Sequence, residues 1–246
     1  MPSPNTGFYP PEFTERSRSV LHRVHDTVPD AVLIGGWATW VRTGGAMSHD
    51  IDLIVTRPQL EAVSTLVQEM SESRHIAGRK WRGSIEGIHL DLYVPYESRL
   101  GQHLQLRTER LIDHREHVND WVVLNLAAHL ATKLAALLDR PDSTPGDKDR
   151  QEIMALLALE VDPTEAVRVI HDASARTPDE VDQHLKEAFG YLGDMTLDQV
   201  QRRWLTRLAA EWAAASREVM KAQAPNRDTQ HHRPPTREPP GPTLGR

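Results

Sequence analysis

The sequence predicts an α+β fold, with a mixed sheet flanked by helices in the first half and a helical part behind it. Three observations carry this. Short apolar or alternating runs, residues 31–34, 51–55 and 88–94, read as strands. Segments of helical period lie between and after them. The second half is punctuated by helix starts at Asp162-Pro163, Thr177-Pro178 and Thr196, each with a capping residue and a Glu or Gln near the third helical position.

Each element follows from its residues. Residues 1–10 contain three prolines and a glycine and are expected to be flexible. Phe13, Val20, Leu21, Val24 and Val28 recur at helical spacing up to Pro29-Asp30. The run Ala31-Val32-Leu33-Ile34 is a buried strand that stops at Gly35-Gly36, where a tight turn or close backbone approach costs least. A helix follows at once. Ser48-His49-Asp50 then leads into the strand 51–55. Thr56 and Gln59 have the spacing of a capping box, and Leu60, Val63, Leu66 and Val67 continue a helix to about Met70. From Arg74 to Pro95 the helical period gives way to short strands; in the last, Ile88, Leu90, Leu92 and Val94 share one face, His89, Asp91 and Tyr93 the other.

Residues 96–120 are polar and show no clear period. Trp121 to Arg140 is the strongest helix by pattern, apolar almost all round, interrupted by Asn125, His129 and Lys133 at intervals of four, with Thr132 adjacent. That stripe is either the helix's solvent face or a functional one. A loop, 141–146, leads to Asp147-Lys148-Asp149-Arg150 at the head of another helix, and the last helix is expected from about Leu197 to Lys221. The organisation predicted is a sheet domain over 11–120, a helical domain over 121–222, and a proline-rich, disordered tail over 223–246.

Composition excludes several classes. The 246 residues contain no cysteine, which rules out disulfide frameworks and thiolate zinc sites. No apolar run reaches membrane-spanning length and the N-terminus lacks the pattern of a signal peptide, so a cytoplasmic protein without a membrane partner is expected. The net charge of −6 is uneven: residues 202–246 hold nine Lys/Arg against four Asp/Glu. A basic end on an acidic body suits a polyanionic partner, or is merely solvated.

The chemistry-bearing residues cluster early. Asp50 and Asp52, two apart at a strand's beginning, project their carboxylates to one side. Two carboxylates that close repel unless a cation lies between them, and a hard divalent ion such as Mg²⁺ takes oxygen ligands and brings substrate phosphates with it. If the strand carrying Asp91 pairs beside them, a third carboxylate joins. Asp52, inside an apolar strand, is a charge that requires a partner.

In this order, Gly35-Gly36, Ser48-x-Asp50-x-Asp52 and an isolated strand aspartate, Asp91, resemble the signature of the polymerase-β-type nucleotidyltransferases. Lys133 on a long helix, followed by Lys148-Asp149 at the head of the next, is similar to the AbiEii group of abortive-infection and toxin–antitoxin enzymes. The resemblance spans roughly residues 30–155. It implies a nucleotidyltransferase-like sheet, Mg²⁺ on Asp50, Asp52 and Asp91, an NTP substrate, Gly35, Gly36 and Ser48 near the phosphates, Lys133 balancing the triphosphate, and Asp149 in the functional set. Many members carry Gly-Ser where this chain has Gly36-Trp37, and Ser48 is the hydroxyl that could substitute. Lys148 is the weaker candidate, because a lysine at a helix start is usually just solvated.

Three functions follow. The first is a toxin that transfers a nucleotide to RNA, tRNA above all, with a cognate antitoxin expected. The second, from the wording GGWA and HDIDL, is an aminoglycoside- or lincosamide-modifying enzyme. The third is a catalytically silent nucleotide- or RNA-binding module.

Overall fold

The structure, a computed structural model, describes residues 8–75 and 78–223; the expectations for the first seven residues and for the tail beyond 223 fall outside them. Helix α1 (Pro11–Thr27) precedes strand β1 (Val32–Ile34), and α2 (Gly35–Thr43) starts on the residue after that strand. Then come β2 (Ile51–Ile54), α3 (Arg57–Ser64), β3 (Ser71–His75), β4 (Gly78–Ile85) and β5 (Ile88–Tyr93). A small hairpin of β6 (Arg99–Leu100) and β7 (Leu106–Arg107) leads through α4 (Thr108–Leu111) to β8 (Arg115–Val118) and β9 (Trp121–Leu124). The remainder is helical: α5 (Leu126–Asp139), α6 (Thr144–Leu157), α7 (Pro163–Ala173), α8 (Pro178–Gly193) and α9 (Gln199–Gln223).

Among the described residues, seven strands form one mixed sheet in the order β3-β4-β5-β2-β1-β9-β8. β1 runs antiparallel to β2, and β2 runs parallel to β5 with Ile51 opposite Leu90 and Asp52 opposite Asp91. Side-chain alternation then sorts the strands' residues between two cores. Leu33, Ile51, Leu53, Leu90 and Leu92 pack toward α1 and α3, whereas Val32, Ile34 and Ile54 pack with α5 and the helices that follow. Asp52 shares its face with Ile54, so it points toward α5. Each of the four central side chains Ile51, Leu53, Leu90 and Leu92 is at most 4% exposed, worth about 1.5–3 kcal/mol apiece in burial.

Several caps are as the residues foretell. Thr56 and Gln59 make a reciprocal capping box, as do Thr177 and Glu180, and Asp162 caps α7. The last helix is capped by Asp198 rather than Thr196: its Oδ1 accepts from the N–H groups of Val200 and Gln201, both at 2.8 Å. α3 stops at Ser64, shorter than its apolar spacing suggests.

Two expectations are corrected here. Trp121–Leu124 is not the start of the long helix but strand β9, which pairs with β1 and β8, so the sheet continues past residue 120. A run of Trp-Val-Val-Leu suits a buried strand as well as a helix, and periodicity alone does not separate them. Asn125 marks the change: its side chain accepts from Ala128 N–H at 2.9 Å and caps α5, so it is no member of a stripe on that helix. Phe13, the first of the apolar residues at helical spacing, does not share their burial: it is 46% exposed, and α1 buries Thr14 and Ser17 with Val20, Leu21 and Val24, Ser17 accepting a hydrogen bond from Trp37 at 2.9 Å. Among the described residues, no helix is long and apolar enough to cross a membrane.

Replacing Leu90 by Ala in the central strand pair should lower unfolding free energy by about 2–5 kcal/mol, while Phe13→Ala should stay within about 0.5 kcal/mol, both measured by urea denaturation. Equal losses would mean that α1 is docked through a different face.

Candidate active site

The parallel pairing of β2 with β5 is what assembles the site. Asp52 and Asp91 are register partners, and neighbouring strands lie about 4.8 Å apart, so the two aspartates sit side by side on the face that looks toward α5 and α6. Asp50 precedes them on the same side of β2. Together they line a cleft of about 700 Å³ whose other walls come from α2, β4, the β6 region, α5 and α6. That is ample for a nucleotide-sized ligand.

Gly35 and Gly36 are needed by their neighbours. Gly35 has φ +69, and a Cβ there would lie 2.3 Å from Asp52 Oδ2; a Cβ on Gly36 would meet Ser48 Oγ at 2.6 Å and Lys148 Nζ at 2.8 Å. The pair thus lets the first turn of α2, whose N-cap Ile34 offers no side-chain acceptor, come up against the acidic end of β2. Trp37, at the position where a serine would be expected by resemblance, is fully buried in the α1-side core. A hydroxyl beside the aspartates comes from Ser48, which donates to Asp50 Oδ1 at 3.0 Å and accepts from Lys148 Nζ at 3.2 Å.

The three carboxylates have different surroundings. Asp50 is held below its ordinary pKa: burial opposes this, but His49 at 3.5 Å, Lys148 and the Ser48 hydroxyl outweigh it. Both oxygens of Asp91 are taken, Oδ2 by Lys80 Nζ at 2.7 Å and Oδ1 by Arg82 Nε at 2.9 Å. Asp52 has neither a hydrogen bond nor an ion pair to its carboxylate among the described residues, and burial, Asp50 and Asp91 push it up to about 7. A carboxylate with no direct partner, only partly offset by the charges of Lys133 and Lys80 and lying beside a second carboxylate, fits a divalent cation on Asp50 and Asp52. Among the described residues, no group of three acidic or histidine side chains is arranged to hold a metal as the side chains stand.

The polar positions of α5 are not a solvent face. His129 and Lys133 are 1% and 5% exposed. His129 Nε2 meets Thr39 Oγ1 at 3.2 Å, and burial, with Lys133 and Arg42 nearby, holds the ring well below its usual pKa and so neutral. Lys133 opens onto the cleft and is anchored by Asp149 Oδ1 at 3.3 Å and by a shorter ion pair with Glu152. Burial works against its charge, but Glu152 and Asp149 hold its pKa above the ordinary value. Asp149, 1% exposed, also accepts from Arg140 Nε at 2.8 Å. It thereby binds two cations that both line the cleft.

Lys148, read from sequence as merely solvated, is buried and lines the cleft, tied to Ser48 and 3.6 Å from Glu152. α6 begins at Thr144, capped by Ser143, which places Lys148 in its second turn facing inward. Sequence reasoning missed Lys80, Arg82, Arg140, Glu152 and Tyr9. Tyr9 stacks on His49 with ring centroids 3.8 Å apart and lies under Lys148. The one available signal for Lys80 and Arg82 was their placement on either side of Trp81, a large apolar residue that fixes which face of a strand is buried. Seven Lys/Arg side chains line the cleft against five Asp. Such a surface suits a polyanion held together with a cation.

No family model matches this chain, and no curated protein matches it. Among solved structures, it is similar to an antigenic nucleotidyltransferase-like protein from Paracoccidioides brasiliensis, at 15% identity and a TM-score of 0.47 over 81% of this chain and 93% of that one.

The Asp52 shift has a sign that can be tested. Its carboxyl is raised from 3.8 in the unfolded chain to about 7, so the stability it contributes is present below 3.8 and is lost as pH rises through about 7. Asp52→Asn, which removes the charge, should raise Tm more at pH 8 than at pH 5. Equal effects at the two pH values would show that Asp52 has a partner. Gly36→Ala should displace Ser48 and Lys148, weaken binding of any ligand in the cleft at least tenfold, read by calorimetry, and also lower Tm, because the added Cβ runs into the buried Ser48.

Proposed function

We propose that this chain is a nucleotidyltransferase, moving a nucleotide from an NTP to an acceptor hydroxyl with release of pyrophosphate. The observation that carries the reading is the register pairing of Asp52 with Asp91 beside Asp50, in the lining of a cleft that also holds Lys133, Lys148 and Arg140 and is abutted by the start of α2. The sequence resemblance to polymerase-β-type enzymes names the three aspartates, the two glycines and Lys133 independently of their geometry, whereas Arg140 comes from the structure alone.

In this reading Asp50 and Asp52 hold Mg²⁺, which when bound would neutralise charge on the triphosphate and assist departure of pyrophosphate. Lys133 and Arg140, fixed by Asp149, balance phosphate charge from the opposite wall. Lys148 does so from beside Ser48, and the Ser48 hydroxyl keeps Asp50 oriented. The first turn of α2, brought close by Gly35 and Gly36, turns backbone N–H groups toward anionic oxygens. Asp91, beside Asp52, is the carboxylate placed to serve the acceptor hydroxyl, as third ligand or as proton acceptor.

RNA, and tRNA in particular, is the acceptor that fits the AbiEii-like arrangement of Lys133 and Asp149, with the enzyme acting as a toxin restrained by an antitoxin. A small hydroxylated antibiotic is the alternative acceptor, and the test separates the two.

With Mg²⁺ and each of four α-labelled NTPs, label should pass to total tRNA and disappear on chelation with EDTA. Asp50→Ala and Asp52→Ala should each reduce transfer at least 100-fold, about 3 kcal/mol of transition-state stabilisation, and Lys133→Ala at least tenfold. Transfer to aminoglycosides or lincosamides but not to tRNA would select the antibiotic reading. Mg²⁺-dependent NTP binding with no transfer to either would leave the binding module.

A further inference from the structure

Asp52 and Asp91 occupy the same register position on adjacent strands and face the same cleft, yet their surroundings treat them oppositely. Asp52 is unpartnered among the described residues, whereas both oxygens of Asp91 are occupied by Lys80 and Arg82 at 2.7 and 2.9 Å. The arrangement is built into the sheet. Arg82 is the register partner of Asp91 across the antiparallel β4–β5 pair, Lys80 lies two residues away on the same face, and Trp81 between them is buried on the other side. Both cations line the cleft. They are also unequally held: the Lys80 side chain is 11% exposed and that of Arg82 58%.

A carboxylate paired with two cations keeps a lone pair on each oxygen, but its charge is already offset and the two cations repel a metal ion brought beside them. A partly buried ion pair of this kind is costly to break unless another anion replaces the one withdrawn. A polyphosphate entering the cleft is such an anion, because its oxygens make charge-assisted hydrogen bonds to lysine and arginine as a carboxylate does.

Resting on the nucleotidyltransferase reading, we propose that Lys80 and Arg82 are triphosphate-binding residues that hold Asp91 out of the metal site until nucleotide arrives. The phosphate oxygens then compete for the two cations, and Asp91 becomes available as a third oxygen ligand beside Asp50 and Asp52. The acidic site is completed by its substrate, so nucleotide and divalent ion strengthen one another's binding by the same factor. Without nucleotide the site holds the ion weakly, and the chain does not carry a fully assembled metal centre open to water.

Equilibrium binding of Mn²⁺, followed by electron paramagnetic resonance on the full chain, tests this without reference to turnover. The probes are Mn²⁺ alone and Mn²⁺ with an NTP analogue carrying a methylene between the α- and β-phosphates. Wild type should bind Mn²⁺ weakly, through Asp52, and the analogue should tighten that binding at least tenfold. Lys80→Met and Arg82→Met should each tighten Mn²⁺ binding severalfold without nucleotide and should shrink the effect of the analogue. Adding Asp91→Asn to either should cancel the gain. Arg82, the more exposed of the two, keeps the test intact should Lys80→Met fail to fold. Unchanged Mn²⁺ affinity in Arg82→Met, or a gain that survives Asp91→Asn, overturns the proposal while leaving the nucleotidyltransferase reading in place. Absence of Asp52-dependent Mn²⁺ binding in every form, with and without analogue, overturns both.

Discussion

Three carboxylates concentrated at one end of a sheet are the constraint to which the rest of the cleft responds. Two unit charges of like sign about 5 Å apart repel by about 3 kcal/mol at the effective dielectric of a protein surface, and more where water is excluded. The chain answers differently for each. Asp91 is neutralised by Lys80 and Arg82 from its own sheet, while Asp50 accepts a hydrogen bond from Ser48 and lies in the fields of His49 and Lys148. Asp52, in the middle, is left without a partner among the described residues and is raised to about 7. A fold selected only for stability would have paired or removed it. The residue that the structure leaves without a direct partner, with only the fields of Lys133 and Lys80 to offset it, is the one on which a cation would have most effect.

The second half of the chain is arranged to face this charge. α5 and α6 cross the acidic face of the sheet, and a buried ionic set of Lys133, Asp149, Glu152 and Arg140 fixes cations along the opposite wall. Buried ion pairs are poor sources of net stability. Their value here lies in orientation, since Asp149 holds Lys133 and Arg140 at once while both remain on the cleft surface. The link between the halves is direct: Lys148 donates to Ser48 across 100 residues of sequence, and it comes that close because Gly36 has no side chain. Cleft and core are therefore inseparable, and a substitution on α6 is felt at β2.

Much of this was legible in the residues. The strands around Leu33, Leu53 and Leu90, the capping boxes at Thr56 and Thr177, the turn at Gly35 and the shared side of Asp50 and Asp52 all follow from spacing, because period and cap chemistry are properties of a few consecutive residues. Trp121–Leu124 was misread for the same reason: four apolar residues satisfy either period, and only pairing with β1 and β8 decides between them. Lys148 was undervalued because a lysine at a helix start is solvated unless another element covers it, which Ser48 and Tyr9 do.

What the sequence by itself determined is the set of elements and the side of each strand that its aspartates occupy, since a backbone of fixed period leaves no other choice once the apolar residues are buried. Only the tertiary structure decided which charges meet. That β2 and β5 are parallel neighbours with Asp52 opposite Asp91, that Lys80 and Arg82 arrive from β4 to occupy Asp91, and that His129 and Lys133 are buried are all consequences of strand order and helix docking. Electrostatic partnership depends on distances of a few ångströms between segments far apart in the chain, and no local pattern encodes them.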